Sequence, residues 1–285
     1  MTTLALFSKP NNPHAWGVLN EIVSWAQLKG LRVLVGPDKG GWDGKNWSSE
    51  LIESARQEAD IAIAIGGDGT LLGVARNLFG WGKPILGVNL GTLGFLTDVA
   101  AKDIERMLDA IQAGEYTVED RILLEAGLDG EESRGLAFND VVFTNGGFGR
   151  LAQFDVFVDE QPVFSLRADG LIITTPTGST AYALSANGPI LHPSLAAIAL
   201  VPLNPHSLTA RPISLPSSVK VEVVVRGTVE SRVVCDGQPY GGPLTDGTRV
   251  HVSQGATTVK MLHLKDYNLF KTLQQKLNWS SPRER

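Results

Sequence analysis

Over the first ninety residues, short apolar runs alternate with segments of helical periodicity. Residues 4–7 are apolar and are closed by a loop containing Pro10 and Pro13. Val18, Leu19, Ile22, Val23 and Ala26 fall on one helical face, and Gly30 is placed to end that helix. A second strand is predicted over Arg32–Val35 and a second helix over Ser49–Glu58, with Ser48 or Ser49 as N-cap. Residues 61–65 have no polar side, which predicts a strand buried on both faces, as in a parallel sheet. A helical stretch over residues 71–79 and a strand over residues 85–88 follow. The order β-α-β-α-β-α-β implies right-handed crossovers and a doubly wound parallel sheet.

Beyond residue 100 the period changes. Ile104, Met107, Leu108 and Ile111 mark a connecting helix that Gly114 can end. Phe154, Val156 and Val158 then alternate with Asp155, Phe157 and Asp159, and Val219, Val221, Val223 and Val225 repeat the pattern. This half is predicted to be mostly β, a sandwich with one inserted helix near residues 181–186. The chain is expected to divide into an α/β domain over residues 1–100 and a mostly β domain over residues 101–264. An amphipathic tail within residues 265–285 is expected to pack back on the first.

Composition narrows the class. The 31 glycines among 285 residues exceed ordinary usage and suggest tight turns and close backbone approach to a ligand. A net charge of −5 weighs against a nucleic-acid partner. A single cysteine, Cys235, excludes a disulfide framework within the chain and reads as a buried thiol at a strand end. There is no basic, apolar leader pattern and no run long enough to cross a bilayer, so a cytoplasmic protein without a membrane partner is expected. The five histidines (His14, His192, His206, His251, His263) show no metal-ligand spacing, and no protein-held metal is expected.

Candidate chemistry sits where glycine-rich segments follow strands, because ligands of open α/β sheets bind outside the carboxyl ends of the strands. The first such segment is Gly66-Gly67-Asp68-Gly69-Thr70 and the second runs from Asn89 to Thr97. Neither is a Walker loop, and neither is a dinucleotide fingerprint after the first strand. Glycines at a helix start leave N–H groups free to face a phosphate. An acid in such a place repels phosphate and needs another task. Asp68 can hold Mg²⁺, take a proton from an attacking hydroxyl, or merely cap the helix. In the β half, residues 174–185 are dense in hydroxyls around Tyr182 and suit either a sugar or an adenine, or a polar turn opening a helix with Ser179 or Thr180 as N-cap.

Taken together these segments resemble the NAD kinase family in its bacterial form. The resemblance rests on Gly66-Gly67-Asp68-Gly69-Thr70, on Asn89-x-Gly91-x-Leu93-Gly94-Phe95-Leu96-Thr97, and on Asn139-Asp140. It continues through Asp169-Gly170-Leu171-Ile172, the block over residues 175–190, and residues 205–212. The first motif alone is shared with lipid kinases and phosphofructokinases, whereas the long hydroxyl-rich block is far more specific.

The resemblance implies transfer of the γ-phosphate of ATP, or of another phosphoryl donor, to the 2′-hydroxyl of the adenosine ribose of NAD, giving NADP. It implies a divalent cation, Mg²⁺ foremost, with Asp68 as the general base and Gly69 beside it on the substrate. Asn139 and Asp140 would hold the ribose or nicotinamide side of the dinucleotide. Arg167 and Asp169 would contact NAD, from this chain or a neighbouring subunit, with Arg150 close by. Thr180, Ala181, Tyr182, Ala183, Leu184 and Ser185 would line the adenosine pocket, with Asn204 and Gln238 at its rim. The reacting groups are expected to meet in the cleft between the α/β half and the β half of the chain, and the resemblance implies a homodimer or homotetramer with sites shared between subunits. Asp140 stands where the family usually has Glu, so its carboxylate reaches about one methylene less far. A lipid or sugar kinase is the nearest rival. A non-catalytic NAD(H) sensor is the rival of another class, disfavoured because a pure binder has no need of an acid beside phosphate.

Overall fold

A computed structural model of the chain describes residues 1–9, 11–36, 47–145, 152–227 and 231–280. The chain forms two compact units, one of Met1–Asp120 with Val259–Arg285 and the other of Arg121–Thr258.

The first unit holds β1 (Thr3–Ser8), α1 (Pro13–Leu28), β2 (Arg32–Val35), α2 (Ser49–Glu58), β3 (Ile61–Gly66), α3 (Asp68–Asn77), β4 (Pro84–Asn89), β5 (Val99–Ala100) and α4 (Ile104–Ala113). Its strands run parallel in the order β2-β1-β3-β4, with β5 alongside β4. This is the doubly wound arrangement that the alternation of periods predicts. All six residues of β3 are buried. Its large side chains, Ile61, Ile63 and Ile65, share one cluster with Val18, Leu19 and Ile22 of α1 and Ile104, Met107 and Leu108 of α4. Burying one such side chain stabilises the fold by roughly 1.5–3 kcal/mol, so β3 is firmly seated where its C-terminal end enters the glycine-rich turn.

Helix α3 begins at Asp68, three residues before the apolar pattern predicts, with Gly67 as N-cap. Gly69 and Thr70 therefore lie within its first turn. A carboxylate in that turn faces the positive end of the helix dipole, which favours starting the helix there.

The second unit is a sandwich. Strand β6 (Tyr116–Leu128) enters it, followed by β7 (Gly135–Ala137), β8 (Asp140–Asn145), β9 (Ala152–Val158), β10 (Gln161–Ala168), β11 (Gly170–Thr174) and the four-residue helix α5 (Tyr182–Ser185). Then come β12 (Ala197–Leu203), β13 (Ile213–Pro216), β14 (Val221–Arg226), β15 (Ser231–Cys235), β16 (Gln238–Leu244) and β17 (Arg249–Leu264), and α6 (Leu269–Leu277) ends the regular structure. Antiparallel strands in the order β13-β12-β11-β8-β15-β16 form one sheet. The other is built from β10, β9, β14 and the first part of β17. Phe143, Leu171, Ile173 and Val233 of the first sheet share a core with Phe154, Val156, Val223 and Val250 of the second. The period-2 alternation of these strands supplies that common face. Strands β6 and β17 carry the chain between the units.

Candidate functional site

In the first unit the two glycine-rich segments meet on one carboxylate. The backbone N–H of Phe95 donates to Asp68 Oδ2 at 2.8 Å. The N–H groups of Leu96 and Thr97 and the Thr97 hydroxyl donate to Oδ1 at 3.0, 3.1 and 3.0 Å. Oδ1 is thus saturated, while Oδ2 keeps acceptor capacity for one more donor. Behind Thr97, the buried Asn89 gives its amide to the Thr97 hydroxyl at 2.8 Å and takes the Gly91 N–H at 2.7 Å. The amides of residues 95–97 therefore face an acid and not a phosphate. Anion-facing space lies instead at the start of α3, where Gly69 is exposed and a Cβ on Gly67 or Gly69 would meet nothing.

Two glycines are set by close approach. A Cβ on Gly66 would collide with the Thr70 side chain, and one on Gly94 would collide with the Asp68 carboxylate and the Thr97 hydroxyl. Substituting either forces the turn or the acid to move.

In the second unit Asn139 and Asp140 stand at the start of β8, where Asp140 pairs with Thr174 of β11. A residue that the sequence reading passed over organises them. Asp236 and Gly237 form the two-residue turn between β15 and β16, both at positive φ (49° and 76°). That is the geometry an Asp-Gly hairpin favours. The buried Asp236 carboxylate accepts the N–H groups of Phe138, Asn139 and Asp140 at 2.7, 2.7 and 3.2 Å. Burial, and then the charge of Asp236, push the Asp140 carboxyl up to about 7. Asn139 Oδ1 is buried with no hydrogen-bond partner among the described residues, an acceptor with capacity to spare. Cys235 is buried, and burial with the two aspartates pushes its thiol up to about 12, so it is no nucleophile. Gln238 follows the same turn and is exposed.

The hydroxyl-rich stretch proves to be mainly structural. Thr175 donates to the Phe138 carbonyl at 2.7 Å and Thr174 to the Asn139 carbonyl at 3.1 Å. Ser179 donates to Pro176 at 2.6 Å and accepts the Leu191 N–H at 3.0 Å. A Cβ on Gly178 would strike the Asn139 carbonyl. These bonds tie the turn before α5 to Asn139. The half-buried Thr180 bonds its own turn at Thr177. Ala183 is fully buried in a core cluster, so it can meet a ligand only through its backbone. Tyr182, half exposed, presents its ring to solvent, and Ser185 is exposed beside it.

Asp169 and Asn204 meet at another place in this unit. Asn204 donates to Asp169 at 2.9 Å, and Arg167 is exposed. Asp169 precedes Gly170, the end of β11 opposite Thr174 and hence opposite Asp140. Five residues of extended strand place the two groups about 17 Å apart. Arg150 lies outside the described residues.

Among the described residues no three His, Cys, Asp or Glu side chains cluster to cage a metal. No helix among them is long and apolar enough to cross a membrane.

Family models cover most of the chain: the ATP-NAD kinase N-terminal domain matches residues 4–116 and the ATP-NAD kinase C-terminal domain residues 138–264. The chain is 40% identical to the NAD kinase of Aromatoleum aromaticum over 285 residues, covering 98% of this chain and 94% of the relative. It is 46% identical to the NAD kinase of Chromobacterium violaceum over 224 residues, 78% and 77% of the two chains. Among solved structures it is similar to yeast NADH kinase complexed with NADH, with a TM-score of 0.87 and 25% identity over 100% of this chain and 89% of the other. The fold also matches an NAD kinase from Archaeoglobus fulgidus in complex with ATP, with a TM-score of 0.77, 24% identity, and coverage of 99% and 100%.

Proposed function

The chain belongs to the NAD kinase family, and we propose that it phosphorylates NAD to NADP with ATP, Asp68 taking the proton of the reacting hydroxyl. The adenosine 2′-oxygen bonds to the γ-phosphorus as the bond from that phosphorus to the β,γ-bridging oxygen breaks, releasing ADP. The departing proton has a receiver in Asp68 Oδ2, the oxygen with capacity to spare. The observation that carries this role is the set of four donors fixing Asp68, because phosphoryl transfer depends on positioning more than on covalent chemistry.

When bound, a divalent cation, Mg²⁺ foremost, would neutralise charge on the triphosphate. Such an ion takes most of its ligands from phosphate oxygens and water. The open acceptor of Asn139, the carboxyl of Asp140 and the exposed ring of Tyr182 suit the dinucleotide. Thr180, Ala181, Leu184, Ser185 and Gln238 complete that pocket in this reading. Arg167, Asp169 and Asn204, at the far end of β11, would serve NAD bound to a neighbouring copy in a cytoplasmic homo-oligomer.

Purified protein given NAD, ATP and Mg²⁺ should form a product that an NADP-specific dehydrogenase reduces. NAD binding without NADP formation from any triphosphate or polyphosphate would sink this reading in favour of a sensor.

A further inference from the structure

Asp98 directly follows the residue that supplies two of the four hydrogen bonds on Asp68. Its side chain is 7% exposed, and Oδ2 lies 2.7 Å from Nδ1 of His263, itself 1% exposed. The other oxygen, Oδ1, is buried without a hydrogen-bond partner among the described residues. The side chain of Asp98 therefore depends on His263 for direction. His263 sits near the end of β17, two residues past the pairing of Met261 with Ile85 of β4. Its ring stacks on Tyr267, with centroids 3.9 Å apart and planes 10° from parallel. Nε2 faces Glu119 at 3.9 Å. The imidazole is thus held on its face by Tyr267 and at Nδ1 by Asp98.

A buried polar pair is weak grounds for stability, since desolvation offsets much of the attraction and apolar side chains of similar volume often serve as well. What the pair adds is direction. The loop it anchors is short: the Gly94 N–H closes on the Thr97 carbonyl at 3.1 Å, and the amides between them hold Asp68. We propose that Asp98 and His263 are positioning residues for phosphoryl transfer, tying the loop over residues 94–98 to β17 so that the Asp68 carboxylate keeps one orientation. The inference rests on Asp68 as the proton acceptor. It concerns kcat and not dinucleotide binding.

Steady-state kinetics on three variants test it. In His263→Phe, kcat should fall about ten-fold or more while KM for NAD stays within about two-fold, the split expected when a reacting group is misplaced. His263→Asn puts an N–H where Nδ1–H stood, and should recover kcat to within about three-fold of wild type. The double variant Asp98→Leu/His263→Phe leaves no unpaired buried charge, so it should melt near the wild-type temperature yet stay as slow as His263→Phe. A folded double variant at wild-type kcat, or His263→Asn no faster than His263→Phe, overturns the proposal. Wild-type protein that makes no NADP overturns the reading beneath it instead.

Discussion

The α-carbon of Gly94 lies so close to the Asp68 carboxylate that any side chain on Gly94 would occupy the acid's own volume. The two residues are 26 positions apart and come from different glycine-rich segments. Gly94→Ala should therefore lower kcat about 100-fold, a typical cost of displacing a reacting group by an ångström. Overpacking should also cost roughly 1–3 kcal/mol of stability. Rate measurements alongside thermal melts check both, and an alanine variant at wild-type rate would mean that the carboxylate's position is unimportant.

Asp68→Asn keeps the shape but replaces one acceptor oxygen with an amino group that faces backbone donors. Its turnover should fall by about 10³-fold, the range expected for loss of a general base. NAD affinity by calorimetry should change little. Near-normal turnover would remove the proton-acceptor role.

Asp140 links the pocket to pH. Its carboxyl binds a proton near pH 7 in the folded chain, against an ordinary value of 3.8, because burial and Asp236 oppose its charge. The folded state then holds more protons than the unfolded between those values. This contribution to stability is intact at low pH and is lost as pH rises towards 7. Asp140→Asn should melt close to wild type at pH 4.5. By pH 8 it should be the more stable protein by over about 1 kcal/mol, or roughly 3 °C. Parallel melting curves across that range would contradict the shift.

Tyr182→Ala deletes an exposed ring at the start of α5. If that ring stacks on adenine, Kd for NAD should rise about ten-fold while kcat at saturating NAD stays within about three-fold. Unchanged affinity would place the adenine elsewhere.

The distance between Asp140 and Asp169 along β11 leads to a mixing experiment. Asp68→Asn and Asp169→Ala proteins should each be nearly inactive. If Asp169 serves a neighbouring copy, re-associated mixed dimers should regain about a quarter of wild-type activity, because each heterodimer carries one intact site. Absence of recovery would return Asp169 to its own chain.

Some of the site could be read from the chain directly. The glycine-rich turn after β3, the aspartate within it and the Asn139-Asp140 pair are contiguous motifs that stand out in the chain, and the task of each came from the family resemblance. Other parts could be read two ways. The hydroxyls of Thr174, Thr175 and Ser179 suited either a ligand or a polar turn, and in the structure they bond backbone carbonyls and hold the turn before α5 in place. Asp236 was visible as half of an Asp-Gly hairpin signal. That its carboxylate would gather the amides of Phe138, Asn139 and Asp140, up to 98 residues away, was not.

The sequence by itself determined the order and type of the elements, the parallel sheet followed by a β sandwich, and the place of the candidate acid. Hydrophobic period and turn chemistry act over a few residues, so they survive in one dimension. Only the tertiary structure decided which groups serve that acid: the amides of residues 95–97, the space left by Gly94, and the Asp98–His263 pair formed across 165 residues. A hydrogen bond selects its partner by distance and angle, and strand register and packing set both.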